Sequence, residues 1–396
     1  MGRRDRGLVA ETVFDVLRNR RLYAHLAESG AGPQARRLAL LSLAWRGSAP
    51  PAAALLAPAS VAEQAWLARV AQVSPQTLPE TVRFSLPDWL YERMGESACG
   101  LERSPDQRAD LAASLLLPAG LQLRVNSLKS KPADVVAALA LEGIEAQELT
   151  WLPGALTVQG RPALERSPVF ADGCVEVQDA GSQVLAALVG ARRGQTVVDL
   201  CAGAGGKTLA LAAAMRSLGQ IFAVDVSVTR LQRLRPRLVR SGASNVQPLA
   251  IDGLNDVRLR KLAGRADAVL VDAPCSGSGT LRRNPELKWR MQPGDVERLV
   301  NEQRAILVAA ARLVKPGGVL VYGTCSLLAQ ENIDNVRWFE ATYPGFQRDP
   351  AQAVLSAQGL QLPGDAFCDG LLALTPERHG TDGFFGGRWR LSPPLS

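Results

Sequence analysis

The sequence is poor in the residues that hold metals. Its only imidazoles are His25 and His379, and its six cysteines, Cys99, Cys174, Cys201, Cys275, Cys325 and Cys368, lie far apart with no C-x-x-C pair. Zinc ligand sets need such residues at short, repeated spacings, so no metal is expected. The shortage of histidine also argues against a hydrolase with a cysteine or serine nucleophile, because His379 is the only carboxy-terminal imidazole available as its base. No G-x-S-x-G elbow is present around Ser276 or Ser278, which both lack the first glycine. Long apolar runs are missing too, with none reaching the roughly 20 residues that span a bilayer. The opening MGRRDRGLVAETVFDVLRNRR is a charged helical pattern rather than a secretory leader. The expectation is a cytoplasmic, monomeric protein with reduced thiols and no membrane association.

What is present is length and positive charge. A chain of 396 residues has room for two or three domains, and a net charge of +7 favours a polyanionic partner such as nucleic acid. Apolar residues recur at helical spacing from Leu8 to Ala27 and from Leu38 to Trp45, and a further helix is expected from Val61 to Val73 after an Ala/Pro-rich stretch, Ser48 to Ser60. Arg3, Arg4, Arg18, Arg20, Arg21, Arg36 and Arg37 crowd this region, either as an RNA-facing surface or, more commonly for such charges, as a solvated helix face. A second segment suggests a small α+β module: a strand at Leu121–Val125, a helix at Pro132–Leu141 and two short strands within Glu145–Val158. Beyond Phe170 short apolar runs at Thr196–Leu200, Gln220–Val226, Asn245–Ile251, Ala266–Val271 and Gly318–Gly323 alternate with helical segments at Gly206–Ser217, Val228–Ser241 and Val296–Val314. That alternation is the mark of a parallel, doubly wound α/β sheet. Pro236 is expected to kink or break its helix. The expected domains are thus 1–75, helical; 76–168, α+β; and 169–396, catalytic.

The first strand of this sheet runs into Asp199-Leu200-Cys201-Ala202-Gly203-Ala204-Gly205-Gly206-Lys207-Thr208, a glycine turn that lets the backbone approach a ligand. A phosphate-binding loop would need glycine where Cys201 stands, and a dinucleotide fingerprint would need it where Thr208 stands. Both fail by one residue. S-adenosylmethionine remains, since its adenosine also lies along a glycine turn but brings no phosphate. Asp225, closing the second strand, suits the ribose hydroxyls, and Asp252, after the third, the adenine edge.

Two cysteines stand just past the fourth and fifth strands, in VDAPCSG (Cys275) and VYGTCS (Cys325). Ligands gather outside the carboxyl ends of strands in open α/β sheets, so both thiols are expected at the cofactor crevice rather than as the buried hydrophobes that most free cysteines are. Carbon 5 of cytosine is a weak nucleophile toward a methyl sulfonium until a thiolate adds at carbon 6, so methylation there requires a cysteine. An acid engaging N3 helps the addition, and Asp272 is near Cys275 in sequence.

The segments DLCAGAGGKT, VDAPCSGSGTLRRNPELKW and YGTCSLLAQEN, with LRVNSLK, VQDAGSQ and HGTDGFF, resemble the RNA cytosine-C5 methyltransferases of the two-cysteine class over roughly residues 120 to 396. The resemblance implies a Rossmann-like class I S-adenosylmethionine-dependent fold, Cys325 as the attacking thiolate and Cys275 as the group assisting release. It assigns Asp225, Asp252 and Asp272 to the cofactor and base pocket, with Cys201 to Lys207 as the turn. Where the family commonly has Ala and Pro, this chain has Gly203 and Ala204. The front helices are similar to a shortened NusB-like RNA-binding domain, which points to 16S rRNA rather than tRNA. Arg282, Arg283 and Lys288 are expected to hold phosphates; Trp289 either stacks on a base or sits in the core. Arg124 and Asn126 are expected, from the resemblance, to touch RNA.

Overall fold

The computed structural model describes residues 3–45 and 59–393, so most of the Ala/Pro-rich stretch lies outside the described residues. The chain divides into two compact units. One comprises Met1–Gly95, Glu102–Pro118 and Thr280–Pro293; the other comprises Glu96–Leu101, Ala119–Gly279 and Gly294–Ser396.

The first unit is helical. The segment read as one helix from Leu8 to Ala27 forms two, Arg3–Arg18 and Arg20–Ala27, because Asn19 (φ −107°, ψ 20°) leaves helical geometry between them. Gln34–Trp45 and Val61–Val70 follow, the latter started by a capping box between Ser60 and Glu63 that satisfies otherwise unpaired backbone donors. Their apolar sides meet around Leu22, Tyr23, Leu26, Leu41 and Trp66. The unit does not end at residue 75: helices Glu80–Arg83, Asp88–Arg93 and Pro105–Ser114 belong to it, and so does the distant segment 280–293. A helix leaves its last carbonyls without partners, and this segment supplies them. Lys288 Nζ donates to Arg18 O at 2.7 Å and Trp289 Nε1 to Leu17 O at 2.6 Å, while the Arg18 guanidinium donates to Arg282 O at 2.9 Å.

The second unit carries two sheets. In the small one β1 (Leu121–Val125), β2 (Ala146–Glu148), β3 (Ala155–Val158) and β4 (Val175–Val177) are antiparallel in the order β2-β3-β1-β4. The helix Pro132–Leu141 contributes Val135 and Leu139 to its core. Because β4 pairs with β1, this module runs past the expected boundary at 168.

The large sheet contains β5 (Thr196–Asp199), β6 (Gln220–Asp225), β7 (Val246–Ala250), β8 (Ala266–Asp272), β9 (Val314–Thr324), β10 (Phe346–Arg348), β11 (Phe367–Cys368), β12 (Leu371–Leu374) and β13 (Phe384–Leu391). Strands β7, β6, β5, β8 and β9 are parallel neighbours, and β13, β12 and β11 continue the sheet antiparallel, with β10 pairing β13. The five expected parallel strands are all present; the antiparallel extension is an addition to the sequence reading. Val198, Val269, Val271 and Leu320 pack on one side of the sheet and Val197, Leu270, Val319 and Val321 on the other. Burial on both faces explains why these strands read as continuous apolar runs. This is a Rossmann-like fold, its order reversing at β5, the switch point beside which ligands bind. The helix Val228–Ser241 runs through Pro236 without a break, which removes that one of the two expected outcomes. Cys99 and Cys368 are joined in a disulfide across 269 residues, which corrects the reading that all six thiols are reduced. Among the described residues no helix is long and apolar enough to cross a membrane, and no cluster of three or more His, Cys, Asp or Glu side chains could hold a metal.

Candidate active site

The glycine turn leaves β5 and enters the helix Gly206–Ala214. Gly203 (φ +55°) and Gly205 (φ +81°) adopt left-handed backbone that side chains disfavour. They are glycine for different reasons. A Cβ on Gly205 would stand 2.2 Å from Leu234 Cδ1, whereas one on Gly203 would meet nothing within 4 Å, so open space lies beside that residue. Asp225 receives the N–H groups of Gly203 (2.8 Å) and Ser227 (2.7 Å), which fixes its carboxylate against the turn. Asp252 is exposed and paired with Arg258 at 3.0 Å, on the rim of an open depression of about 620 Å³ that Gly253, Asn255 and Asp256 also line. Cys201 packs against the core, and burial pushes its thiol well above the ordinary range.

Asp199 is a site feature that the sequence reading passed over. Its carboxylate is 1% exposed; Thr208 Oγ1 donates to Oδ2 at 2.6 Å, and Oδ1 has no hydrogen-bond partner. Burial raises its pKa to about 7. The available signal was its position, an acid closing the strand that feeds the glycine turn.

Parallel pairing of β8 with β9 sets Asp272 opposite Gly323, and Ala273 N–H continues the ladder to Gly323 O at 2.9 Å. The two cysteine loops therefore leave the sheet side by side. Cys275 Sγ and Cys325 Sγ are 3.3 Å apart. The contact with Cys325, and then burial, push the Cys275 thiol well above its ordinary pKa. Lys207, buried at the start of its helix, donates from Nζ to Asp272 Oδ2 at 2.6 Å. Burial disfavours the Lys207 charge, but the Asp272 carboxylate outweighs it and the net pKa is raised. The Lys207 ammonium is thus paired with Asp272, three residues before Cys275. Behind the thiols Glu331, fully buried, joins the two loops; its partners are described below.

The expected RNA contacts fare differently. Arg124 is buried with Nε donating to Gln178 Oε1 at 2.8 Å, and Asn126 is buried with Nδ2 donating to Gly173 O and Ser241 O. Lys288 is 1% exposed, and burial lowers its pKa to about 7. These three are corrections: each side chain is engaged inside its own unit and not presented to a phosphate. Trp289 is half-buried, with Nε1 donating to Leu17 O and Arg20 over its ring. Arg282 and Arg283 are half-buried, and Arg282 donates to Pro118 O at 3.2 Å. In the helical unit Arg21 pairs with Asp88 and Arg36 with Glu63, while Arg37 donates to the carbonyls of Ala27 and Gly30.

Comparison with known proteins gives a consistent set of matches. A family model described as 16S rRNA methyltransferase RsmB/F matches residues 186–390, just over half the chain, and a second, described as a Methyltr_RsmF/B-like ferredoxin-like domain, matches residues 86–165. The Ribosomal RNA small subunit methyltransferase B of Sodalis glossinidius is 35% identical over 309 residues, 77% of this chain. The chain spans 66% of that relative's length. The crystal structure of PH0851 superposes with a TM-score of 0.77 at 30% identity, covering 96% of this chain and 88% of that one. A methyltransferase homolog from Pyrococcus horikoshii superposes with a TM-score of 0.66 at 28% identity, covering 81% of this chain and 100% of that one.

Proposed function

The chain belongs to the 16S rRNA methyltransferase RsmB/F family, and from that premise we propose that it methylates carbon 5 of a cytosine in RNA, most specifically 16S rRNA, with Cys325 as nucleophile. The observation that carries the reading is the pair of thiols 3.3 Å apart at the carboxyl ends of adjacent parallel strands, beside a glycine turn. One cysteine suffices for a buried hydrophobe; two facing each other suit addition followed by release.

The turn fits S-adenosylmethionine. Open space beside Gly203, the fixed carboxylate of Asp225 and the unpartnered Asp199 Oδ1 together form a cradle with acceptors for a donor-bearing ligand. Residues 201–207, Asp225 and Asp252 would hold it. When bound, S-adenosylmethionine supplies the methyl group.

The chain's own residues do the rest. Cys325 Sγ adds to C6 of the base, forming the S–C6 bond and making C5 enamine-like. As Sγ adds, N3 takes a proton through Asp272, which Lys207 holds in place and whose carboxylate the Lys207 ammonium then balances. After transfer the C5 proton passes to solvent water, the electrons of that bond re-form the C5–C6 double bond, and the S–C6 bond breaks with Cys325 departing as thiolate, its sulfur receiving a hydrogen bond from the Cys275 thiol. The contact with Cys325 and burial raise the Cys275 pKa, which suits Cys275 to donate at release. Phosphate contacts in this reading fall to Arg282 and Arg283.

The test is transfer of labelled methyl from S-adenosylmethionine to deproteinised 16S rRNA. Wild type should label a cytosine, Cys325→Ala should not, and Cys275→Ala should accumulate a stable protein–RNA adduct. Activity retained by Cys325→Ala overturns the nucleophile assignment. Labelling of tRNA alone keeps the chemistry and overturns the substrate.

A further inference from the structure

Glu331 lies six residues after Cys325, in a short turn that follows the Thr-Cys-Ser segment, and it is fully buried. Its two oxygens face different loops. Oε1 accepts from Ser276 N–H at 2.8 Å, the residue next to Cys275, and from Gln303 Nε2 at 3.0 Å; Oε2 accepts from Ser326 Oγ at 2.5 Å, the residue next to Cys325. Gln303 Nε2 also donates to Pro274 O at 2.9 Å, so the residues on both sides of Cys275 are held from one point. The hydroxyls of Ser276, Ser278 and Ser326 stand 3.1 to 3.2 Å from one another, closing the gap between the loops. No salt bridge to Glu331 occurs among the described residues. An unpaired charge in such a place is expensive unless its hydrogen bonds are all made, and here they are made to both cysteine loops.

We infer that Glu331 is a positioning residue whose buried carboxylate clamps the two cysteine loops together and sets the separation of Cys275 and Cys325. The inference rests on the proposed two-cysteine chemistry for its consequence, though not for its geometry. A carboxylate is suited to the task because both of its oxygens accept: one takes the Ser276 amide while the other takes the Ser326 hydroxyl. Glutamine keeps one acceptor and turns an amino group toward Ser326 Oγ, which can reverse its hydroxyl and accept, as it already does from Leu328 N–H at 3.1 Å. Alanine removes the clamp altogether. The charge has a second effect. The ionisable groups around Cys275 are Cys325, Glu331 and Tyr322, with Arg304 near Tyr322, and the Glu331 carboxylate is among the causes that keep the Cys275 thiol protonated.

The experiment compares Glu331→Gln and Glu331→Ala with wild type in three readouts: methyl transfer, diamide-driven bridging of Cys275 to Cys325 followed by peptide mass spectrometry, and the pH midpoint of Cys275 alkylation. In the bridging reaction the two thiols lose two electrons and two protons to diamide, which becomes the hydrazine. Glu331→Ala should lower kcat about 100-fold, the size expected when reacting groups shift by about an ångström, with the affinity for S-adenosylmethionine unchanged and bridging slowed at least about 10-fold. Glu331→Gln should bridge at close to the wild-type rate, recover most of the lost activity and move the Cys275 midpoint to lower pH. Glu331→Ala within about threefold of wild type in both transfer and bridging overturns the clamp. Should Glu331→Ala fail to fold, Ser326→Ala, which removes the group held by Oε2, stands in, and bridging within about threefold of wild type overturns the clamp. If wild type methylates no RNA at all, the proposed reaction falls while bridging and alkylation still judge the clamp.

Discussion

Lys288→Met separates two uses of one lysine. The sequence suggests a phosphate contact, while the structure buries the side chain at 1% exposure against the end of the helix Arg3–Arg18. Burial brings its pKa from the ordinary 10.5 down to about 7. In the unfolded chain the amine stays protonated up to its ordinary pKa, whereas in the folded unit it gives up the proton near 7. Between those values the unfolded state binds more protons, so folding stability rises with pH across that window and the penalty is greatest below it. At 1.36 kcal/mol per pH unit the full penalty is about 5 kcal/mol. Methionine has no such penalty but loses the bond to Arg18 O, worth about 1.5 to 3 kcal/mol for a charged donor. The variant should therefore be about 2 kcal/mol more stable than wild type near pH 7, an advantage that shrinks and reverses near pH 9. Urea unfolding of both proteins at the two pH values measures it. RNA affinity against salt supplies the second reading: a lost phosphate contact lowers the slope of log K against log salt by about 0.7 on single strands, and here the slope should not change. A variant equally destabilised at both pH values, or one with a reduced slope, refutes the reasoning.

Two further outcomes follow from the turn. Gly205→Ala forces a Cβ to 2.2 Å from Leu234 Cδ1 in a left-handed conformation, and should destabilise by about 2 to 4 kcal/mol, combining roughly 1 for the backbone and 1 to 3 for the overlap; adding Leu234→Ala should recover part of the overlap component in a double-mutant cycle by thermal unfolding. Asp199→Asn should remove a pH dependence of the opposite sense to that of Lys288: the buried carboxyl keeps its proton to about 7 when folded but releases it near 3.8 when unfolded, so wild type loses up to about 4 kcal/mol as pH rises through that window and the variant does not. The same variant should bind S-adenosylmethionine more weakly by calorimetry, and unchanged affinity would remove Asp199 from the cradle.

The parallel strands were legible because burial on both faces makes each an apolar run, and because the residues of the proposed chemistry punctuate their ends: Asp199, Asp225, Asp272, Cys275 and Cys325 all lie at or just beyond strand ends. The antiparallel strands β10 to β13 were not, since FFGGRWRL at β13 mixes glycine and arginine with its aromatics and lacks both the even alternation and the unbroken apolar run that mark a strand. Its strand character comes from pairing with β9 along six residues, from Phe385 opposite Thr324 to Arg390 opposite Val319. The disulfide left no mark either, because Cys99 and Cys368 are brought together only by the fold of a unit that takes in residues 96–101 together with 294–396.

The basic residues show the limit of reading function from charge. Arg124, Asn126 and Lys288 have the right chemistry for RNA, and nothing local in the sequence distinguishes a guanidinium or ammonium bound for solvent from one bound for a carbonyl. What decides is which backbone groups the fold leaves without partners. The last carbonyls of the helix Arg3–Arg18 are such groups, and Lys288 and Trp289 fill them. The segment that follows the Pro-Cys motif is therefore part of the helical unit's own hydrogen bonding, while the motif itself, through Ser276 and Glu331, belongs to the second unit. The division falls between Gly279 and Thr280, five residues after Cys275, and Gly279 N–H donates to Cys325 O at 2.9 Å. A backbone bond to Cys325, the proposed nucleophile, thus lies at the last position of the second unit before the chain enters the first.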